Sequence, residues 1–377
     1  MSAFRSTGRA PILILTAILA AAGLTALLHP AGSGFDVVAE MRGQASLPSW
    51  PTSLRELRSW PRRFDAYVND AFPGRARLIA AGNAALWRFG WLDSDRVIEG
   101  EDGWLFLRRG QDTFEKTRGF HVLSDAAVNT WGARYVDVER WLAAQGAVLW
   151  LAVIPDKQTA YPDRLPAWAR PAGPGGRTTT DLVLAELTRR GVDRVVDLRD
   201  PLREAGKGAA LFYPSDTHWN AAGAKAAAER LLPRMLGAGD PELASLLQGL
   251  SVSETGQTFR GDLARMLGVP ALPQERGSRL VVERARATYV PGMESFLTPA
   301  DRVETTAPGA RPGTLLILMD SFFDGIKPVL VELYERTVVV RHHGLTVPLD
   351  VVEKEKPAVV LFLIVERLLP SAGPRPR

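Results

Sequence analysis

Residues 314–325 read TLLILMDSFFDG. Leu315 to Met319 form an unbroken apolar run of strand length, with no polar residue alternating through it. Such a run predicts a strand buried on both faces, as in parallel sheets. It stops at Asp320-Ser321, and Gly325 and Pro328 follow where a turn leads into a helix. The same pattern recurs outward from this stretch, as AVLWLAVIPD at 147–156 and PAVVLFLIVERLL at 357–369, with a shorter DRVVDLRD at 193–200. Helical spacing lies between these strands. SDAAVNTWGARYVDVERWLAAQG at 124–146 starts on a capping serine and stops at Gly146, and TTTDLVLAELTRRGV at 178–192 is a second helix. A third covers 221–232, and PVLVELYERTVVVRHH at 328–343 reads as a helix and a strand. Strands and helices alternating in this way predict an α/β fold, a mostly parallel sheet covered on both faces by helices in three layers. Residues 233–312 break the rhythm and read as an insertion.

Upstream, DRVIEGEDGWLFLRRGQD at 95–112 predicts a hairpin around Gly100 and Gly103. Residues 54–91 show apolar residues at helical spacing, broken by Pro61 and Pro73, and predict two or three short helices. Residues 30–60 are rich in Pro, Gly and Ser and read as a tether. The first ten residues carry Arg5 and Arg9 and no acid, and PILILTAILAAAGLTALL at 11–28 has no charge. Those positions would span about 27 Å as a helix, close to the hydrocarbon thickness of a bilayer. The flanking charge puts the N-terminus inside. The expectation is a signal anchor at 1–33 rather than a cleaved signal peptide, then a tether and short helices at 34–95 and a catalytic domain at 96–377.

Composition narrows the chemistry. The chain has 377 residues, 46% hydrophobic and 23% charged, as in ordinary globular proteins. Of its 46 basic residues only seven are lysine, an imbalance that goes with many Ala, Gly and Pro and says little about a partner. The absence of cysteine excludes disulfides, zinc–thiolate sites and thiol nucleophiles. PAGPGGRTTT at 171–180 lacks the G-K-[ST] ending of a phosphate loop, so no nucleotide is expected. Neither a metal, a cofactor nor a nucleic-acid partner is expected either.

Working residues in open α/β sheets gather at the carboxyl ends of strands. Ser321 stands at such an end, where a nucleophile is exposed beside backbone N–H groups. On position alone, a serine that merely caps the next helix is the favoured reading. A serine hydroxyl needs a base within hydrogen-bond reach and a third group to orient that base. Five histidines are available. His29 sits by the apolar N-terminal stretch, His121 follows the hairpin, and His342 and His343 end a strand. His218 lies in LFYPSDTHWNAAG, with Asp216 two residues before it and Asn220 placed to cap the helix at 221. A carboxylate on one imidazole nitrogen fixes the tautomer and leaves the other nitrogen to take a proton. The candidate constellation is Asp216 orienting His218, and His218 activating Ser321. The alternative is that Asp216 serves only the positive end of that helix, so on residues alone both readings stand.

Lys157 and Tyr161 follow a strand end and are candidates to line the site. Trp219 is a candidate to stack on a sugar ring, although a core role is commoner for tryptophan. Glu366-Arg367 closes the last strand, where an internal ion pair is the alternative for Arg367. The N–H groups near Ser321 and Phe322 are candidates for an oxyanion hole.

Five segments resemble, in order and spacing, the alginate O-acetyltransferases of the AlgJ and AlgX type, within the SGNH-hydrolase-like superfamily. They are VIEGEDGWLFL, VIPDKQTAYPDRLP, YPSDTHWNAAG, LLILMDSFF and PAVVLFLIVERLL. FDAYVNDAFPGRARLI also looks like the family's N-terminal part, so the resemblance covers about residues 60–370. It implies an SGNH-hydrolase-like fold with permuted motif order, in which Asp216 and His218 supply acid and base and Ser321 the nucleophile. Glu366-Arg367 matches a family position. Met319 departs from the pattern, standing where the family has glycine before Asp-Ser. No carbohydrate-binding module is expected after LIVERLL, and on that expectation the AlgJ type is the nearer likeness. The resemblance implies O-acetylation of a secreted exopolysaccharide, with a membrane-bound acyltransferase supplying acetyl groups. With the anchor, the expected location is the inner membrane, single-pass, with the catalytic domain in the periplasm. A polysaccharide acetyl esterase with the same triad, or a non-catalytic polysaccharide-binding scaffold, are the alternative readings.

Overall fold

A computed structural model describes residues 36, 43–108, 114, 119, 123–170, 177–293, 302–341, 346–369 and 375–376. The chain divides into two compact units, residues 1–94 with 262–273, and residues 95–261 with 274–377.

In the first unit, α1 (Leu54–Ala71) begins on Ser53, whose hydroxyl accepts from the Glu56 N–H at 3.2 Å, and α2 (Arg75–Arg88) follows the Phe72-Pro73-Gly74 break. Pro61, expected to interrupt the helix, lies inside α1. Pro61 and Leu57, whose carbonyl loses its helical donor, are both exposed, so water can serve that carbonyl.

The second unit opens with the expected hairpin, β1 (Val97–Glu99) against β2 (Leu105–Leu107), in the register Ile98 opposite Phe106. Then come α3 (Asp125–Ala144), β3 (Val148–Ile154), α4 (Lys157–Ala160), α5 (Thr179–Arg189), β4 (Val195–Asp197), α6 (Arg199–Ala205) and α7 (Ala221–Leu236). Next are α8 (Pro241–Gln248), β5 (Leu250–Phe259), then α9 (Asp262–Leu267) of the first unit, and β6 (Glu275–Val282). The chain continues through β7 (Thr288–Tyr289), β8 (Arg302–Thr306), β9 (Arg311–Met319), α10 (Phe323–Leu330), β10 (Tyr334–Arg341), β11 (Thr346–Val347), α11 (Leu349–Glu355), β12 (Val359–Val365) and β13 (Arg375–Pro376).

Seven strands make the central sheet in the order β4-β3-β12-β9-β10-β8-β7. The five strands from β4 to β10 are parallel to their neighbours, and β8 and β7 add an antiparallel edge. The sheet is therefore mixed. β8 and β7 come from the stretch read as an insertion, where no apolar run betrays a strand. Glu304 of β8 is buried and ion-paired to Arg302 and Arg336 at 2.6 Å each, so a charged strand joins the sheet edge by partnering its charge. β5 and β6 form a separate antiparallel hairpin.

Side chains on the two faces of the sheet enter two cores. Ile317, Met319, Leu361 and Leu363 pack with α7 and α10 on one face; Leu316, Leu318, Val360 and Phe362 pack with α3, α5 and α11 on the other. This is the three-layer arrangement that the uninterrupted runs require.

The apolar segment 11–28 lies outside the described residues. Among the described residues no helix is long and apolar enough to cross a membrane. The longest, α3, has 20 residues but carries Asp125, Arg134, Asp137, Glu139 and Arg140. The expected single-pass inner-membrane location is thus contradicted by the structure and is corrected.

Candidate active site

Three parallel strands end side by side, β9 at Met319, β12 at Val365 and β3 at Ile154, and acidic side chains stitch their ends together. Asp320 is buried; its Oδ1 accepts from the Phe322 N–H at 2.9 Å and its Oδ2 from the Val365 N–H at 2.6 Å. Burial pushes the Asp320 carboxyl upward, against the pull of those two N–H groups. Held between them, the turn after β9 leaves Ser321 exposed, one residue before the buried Phe322.

The second arm comes from the loop before α7. Phe212 and Trp219 pair as an antiparallel bridge, closing a short loop with Asp216-Thr217-His218 at its tip. Asn220 caps α7, accepting from the Gly223 N–H at 3.0 Å and donating to the Ala210 carbonyl at 2.7 Å. Gly223 is required there, because a Cβ would lie 2.2 Å from the Leu211 carbonyl oxygen. Beneath the loop, the buried Lys157 ammonium donates to the carbonyls of Tyr213, Pro214 and Asp216 at 2.7, 2.6 and 3.1 Å.

The two arms meet. His218 Nδ1 is 2.7 Å from Asp216 Oδ1, and Nε2 is 2.8 Å from Ser321 Oγ. Asp216 Oδ1 also accepts from the His218 N–H at 2.9 Å. A carboxylate only accepts, so Nδ1 carries the hydrogen and the Nε2 lone pair faces the serine hydroxyl. That geometry suits proton transfer from Ser321 to His218, with Asp216 steadying the imidazolium. His218 is the one histidine among the described residues; His29, His121, His342 and His343 lie outside them.

The supporting candidates have other tasks. The Phe322 N–H, expected in an oxyanion hole, is committed to Asp320, and its ring packs 5.0 Å from the His218 ring. Trp219 is 3% exposed and donates from Nε1 to the Phe322 carbonyl at 3.0 Å, so it ties the two arms together instead of stacking on a sugar. Gly325 allows this approach, since a Cβ would come within 2.4 Å of Trp219 Nε1. The Tyr161 hydroxyl accepts from the Leu211 N–H at 2.7 Å and donates to the Ala209 carbonyl at 3.1 Å. Arg367 is ion-paired to Asp156, with its guanidinium carbon 5.5 Å from the Phe322 ring centroid. None of Lys157, Tyr161 and Arg367 lines the cleft at Ser321; they brace its walls.

Glu366 belongs to the same bracing. Its Oε1 accepts from the Asp156 N–H at 2.8 Å, which joins β12 to β3. Burial, reinforced by the Asp156 carboxylate and opposed by Arg199, pushes its carboxyl up to about 8. The folded chain thus keeps a proton that the unfolded chain releases near pH 4.5, so this group's contribution is complete below that pH and is lost as pH rises towards 8. Glu366→Gln keeps the acceptor and removes the titration. Thermal melts between pH 4.5 and 8 should show wild type losing up to about 1.4 kcal/mol per pH unit more than the variant. Parallel stability curves would refute the assignment.

A cleft of about 400 Å³ opens at Ser321 and His218, lined also by Tyr213, Phe259, Arg279 and Asp324. The sequence reading did not pick out these last four. Tyr213 lies within a motif that resembles the family, but Phe259 and Arg279 sit in the supposed insertion, and a lone Asp324 at a helix start is unremarkable.

The profile for the SGNH hydrolase-like domain of the acetyltransferase AlgX matches residues 97–303, which carry Asp216 and His218; Ser321 lies beyond the match. Over 171 residues the chain is 33% identical to the probable alginate O-acetylase AlgJ of Pseudomonas aeruginosa, covering 45% of this chain and 40% of the relative. The Pseudomonas fluorescens protein of the same name is 28% identical over 178 residues, 46% of this chain and 41% of the relative. The matched region thus spans about two fifths of the length of these relatives. Among solved structures, the O-acetyltransferase domain of Pseudomonas putida AlgJ superposes with a TM-score of 0.46 at 20% identity, over 73% of this chain and 92% of that one. PatB1 of Bacillus cereus, solved with a sulfonyl adduct, gives 0.49 at 16% identity, over 74% and 97%. With more than half of its length matched by the family profile, the chain belongs to the SGNH hydrolase-like family of the acetyltransferase AlgX.

Proposed function

We propose that this protein is a polysaccharide O-acetyltransferase working through an acetyl-serine. The observation that carries the reading is the continuous path from Asp216 through His218 to Ser321, a 2.7 Å step within one loop and a 2.8 Å step to a residue 103 positions further on. Ser321 Oγ attacks the carbonyl carbon of an acetyl donor while its proton passes to His218 Nε2. The tetrahedral adduct collapses, His218 returns the proton to the departing donor group, and acetyl-Ser321 remains. A sugar hydroxyl then attacks the same carbon, again losing its proton to His218. When the second adduct collapses, the acetyl group leaves on the sugar and Ser321 Oγ regains the proton. Asp216 holds its charge beside Nδ1 throughout.

The acceptor is an exopolysaccharide of the alginate kind, a reading supported by the names of the curated relatives. A membrane-bound acyltransferase partner as the acetyl source belongs to the same proposal and is supported by the family resemblance.

The test is intact-mass measurement of the protein after brief exposure to an activated acetyl ester, followed by addition of oligosaccharide or buffer alone. The expected result is one added acetyl group, mapped to the peptide containing Ser321, discharged faster by sugar than by water. Discharge by water alone would make the protein an esterase. Folded protein that takes up no acetyl would overturn the covalent mechanism and favour a binding scaffold.

A further inference from the structure

The hairpin β1–β2 and the residues after β3 take no part in the chemistry of the triad, yet they meet beneath it. Lys157 is 2% exposed, so a full positive charge is held inside the domain. Burying an ammonium is costly unless polar groups surround it. Its Nζ donates to the carbonyls of Tyr213, Pro214 and Asp216, and lies 5.0 Å from the Trp104 ring centroid and 5.4 Å from that of Phe106. Both rings are buried, and at these distances a cation is attracted to an aromatic face. The hairpin also grips the loop directly, with the Leu105 N–H donating to the Pro214 carbonyl at 2.9 Å.

Three carbonyls from four consecutive residues point at one spot, and carbonyl dipoles aimed together repel. A cation at that spot turns repulsion into attraction, and an ammonium brings three donors to three acceptors. The loop's own backbone bonds are long by comparison. The Tyr213 N–H reaches the His218 carbonyl, and the Asp216 N–H the Tyr213 carbonyl, at 3.3 Å each. On the side away from Lys157, Glu275 Oε1 accepts from the Ser215 N–H at 2.5 Å. The ammonium bonds, at 2.7, 2.6 and 3.1 Å, carry a charge and are the stronger hold on the loop's bend. Their effect has a direction. Lys157 fixes the Asp216 carbonyl, and the Asp216 carboxylate fixes the His218 N–H and Nδ1 at 2.9 and 2.7 Å. A displacement at Lys157 therefore passes through one residue to the base that faces Ser321.

We propose that Lys157, seated on Trp104 and Phe106, is a positioning residue for proton transfer, its ammonium setting the Asp216–His218 pair where Nε2 reaches Ser321 Oγ. It does not line the cleft, so it acts through Asp216 and not on a substrate. The hairpin and the lysine after β3 then form one support for the catalytic loop. The reaction measured below rests on the acetyl-serine reading; the placement of His218 does not.

The test compares the full chain with Lys157→Met, which keeps most of the stem's apolar packing and supplies no donor. Acetyl uptake from an activated ester is followed by intact mass and expressed per folded molecule, with circular-dichroism melts giving the folded fraction. The saturating rate should fall about 10²-fold, the scale on which a displacement of about 1 Å disables a catalytic pair. The ester concentration at half-saturation should change little, because Lys157 lies outside the cleft. The far-downfield proton magnetic resonance of the His218 Nδ1–H shared with Asp216 should be present in wild type and broadened or lost in folded Lys157→Met. If that variant does not fold, Lys157→Ala decides, in buffer containing either n-propylammonium or tetramethylammonium. The first ion replaces the missing donors, and the second carries the charge without them. Uptake and the resonance should recover with the first alone. Folded Lys157→Met that takes up acetyl at the wild-type rate overturns the proposal. So does a large fall in uptake with the resonance unchanged, or equal uptake by Lys157→Ala in the two ions. If wild type takes up no acetyl, the acetyl-serine reading fails instead, and the resonance by itself decides whether Lys157 places the pair.

Discussion

Ser321→Ala is expected to lower acetyl transfer by about 10⁶-fold, and Asp216→Asn by about 10⁴-fold, with the fold unchanged in both. Ser321 is exposed, and its one described contact is the hydrogen bond to His218, so its removal opens no cavity. Asp216 acts differently. Its Oδ1 accepts both the His218 N–H and Nδ1–H, and an asparagine oxygen can occupy the same point. What asparagine cannot supply is the negative charge beside the imidazolium that forms as Nε2 takes the serine proton, nor does it bar the alternative tautomer. Because the three residues act as a unit, the Ser321→Ala, His218→Ala double variant should fall no further than either single variant. The rate of acetyl uptake from an activated ester, followed by intact mass beside circular-dichroism melts, measures all of these. A Ser321→Ala protein acetylated at the wild-type rate would sink the assignment.

Asp320→Ala is expected to cost about 2–6 kcal/mol of folding stability, at the upper end of single-residue effects. The carboxyl is buried and accepts two buried N–H groups, those of Phe322 and Val365. Truncation strands both donors, at about 1–3 kcal/mol each. It also unties β9 from β12 at the point where Ser321 is presented. Asp320→Asn should recover only part of the loss, since its amide accepts from one N–H but opposes the other with a donor of its own. Urea unfolding midpoints of the three proteins decide this. An Asp320→Ala protein within 1 kcal/mol of wild type would show that Asp320 does not hold the turn. Acetyl uptake should fall along with stability in Asp320→Ala, since the nucleophile's turn loosens.

Much of this architecture is written in local sequence. Leu315 to Met319 and Val359 to Val365 are legible as buried strands because nothing polar interrupts them, and Ser124 and Asn220 mark helix starts by the chemistry of capping. Asp216, His218 and Ser321 are nameable because two stand two positions apart in one motif and the third ends a strand. Pro61 misleads, because an exposed helix tolerates the lost hydrogen bond. β8 is hidden because its buried Glu304 is ion-paired to Arg302 and to Arg336 of β10, and Thr305 sits opposite Thr337 of β10, which no window of sequence reveals.

The roles of the surrounding residues follow the same divide. Lys157 and Tyr161 look like site residues from their place after a strand, yet both spend their donors and acceptors on the backbone of 209–216. The Phe322 N–H is committed to Asp320, and Arg367 to Asp156. Arg279 and Asp324, silent in the sequence, face the nucleophile's cleft. By itself the sequence determined the strand-and-helix alternation and the identity of the Asp, His and Ser candidates, because period, capping and motif order are properties of neighbouring residues. Only the tertiary structure decided which polar groups meet across a hundred positions and which are already satisfied, because a hydrogen bond or an ion pair is made by distance in space and each donor can be spent only where a partner stands.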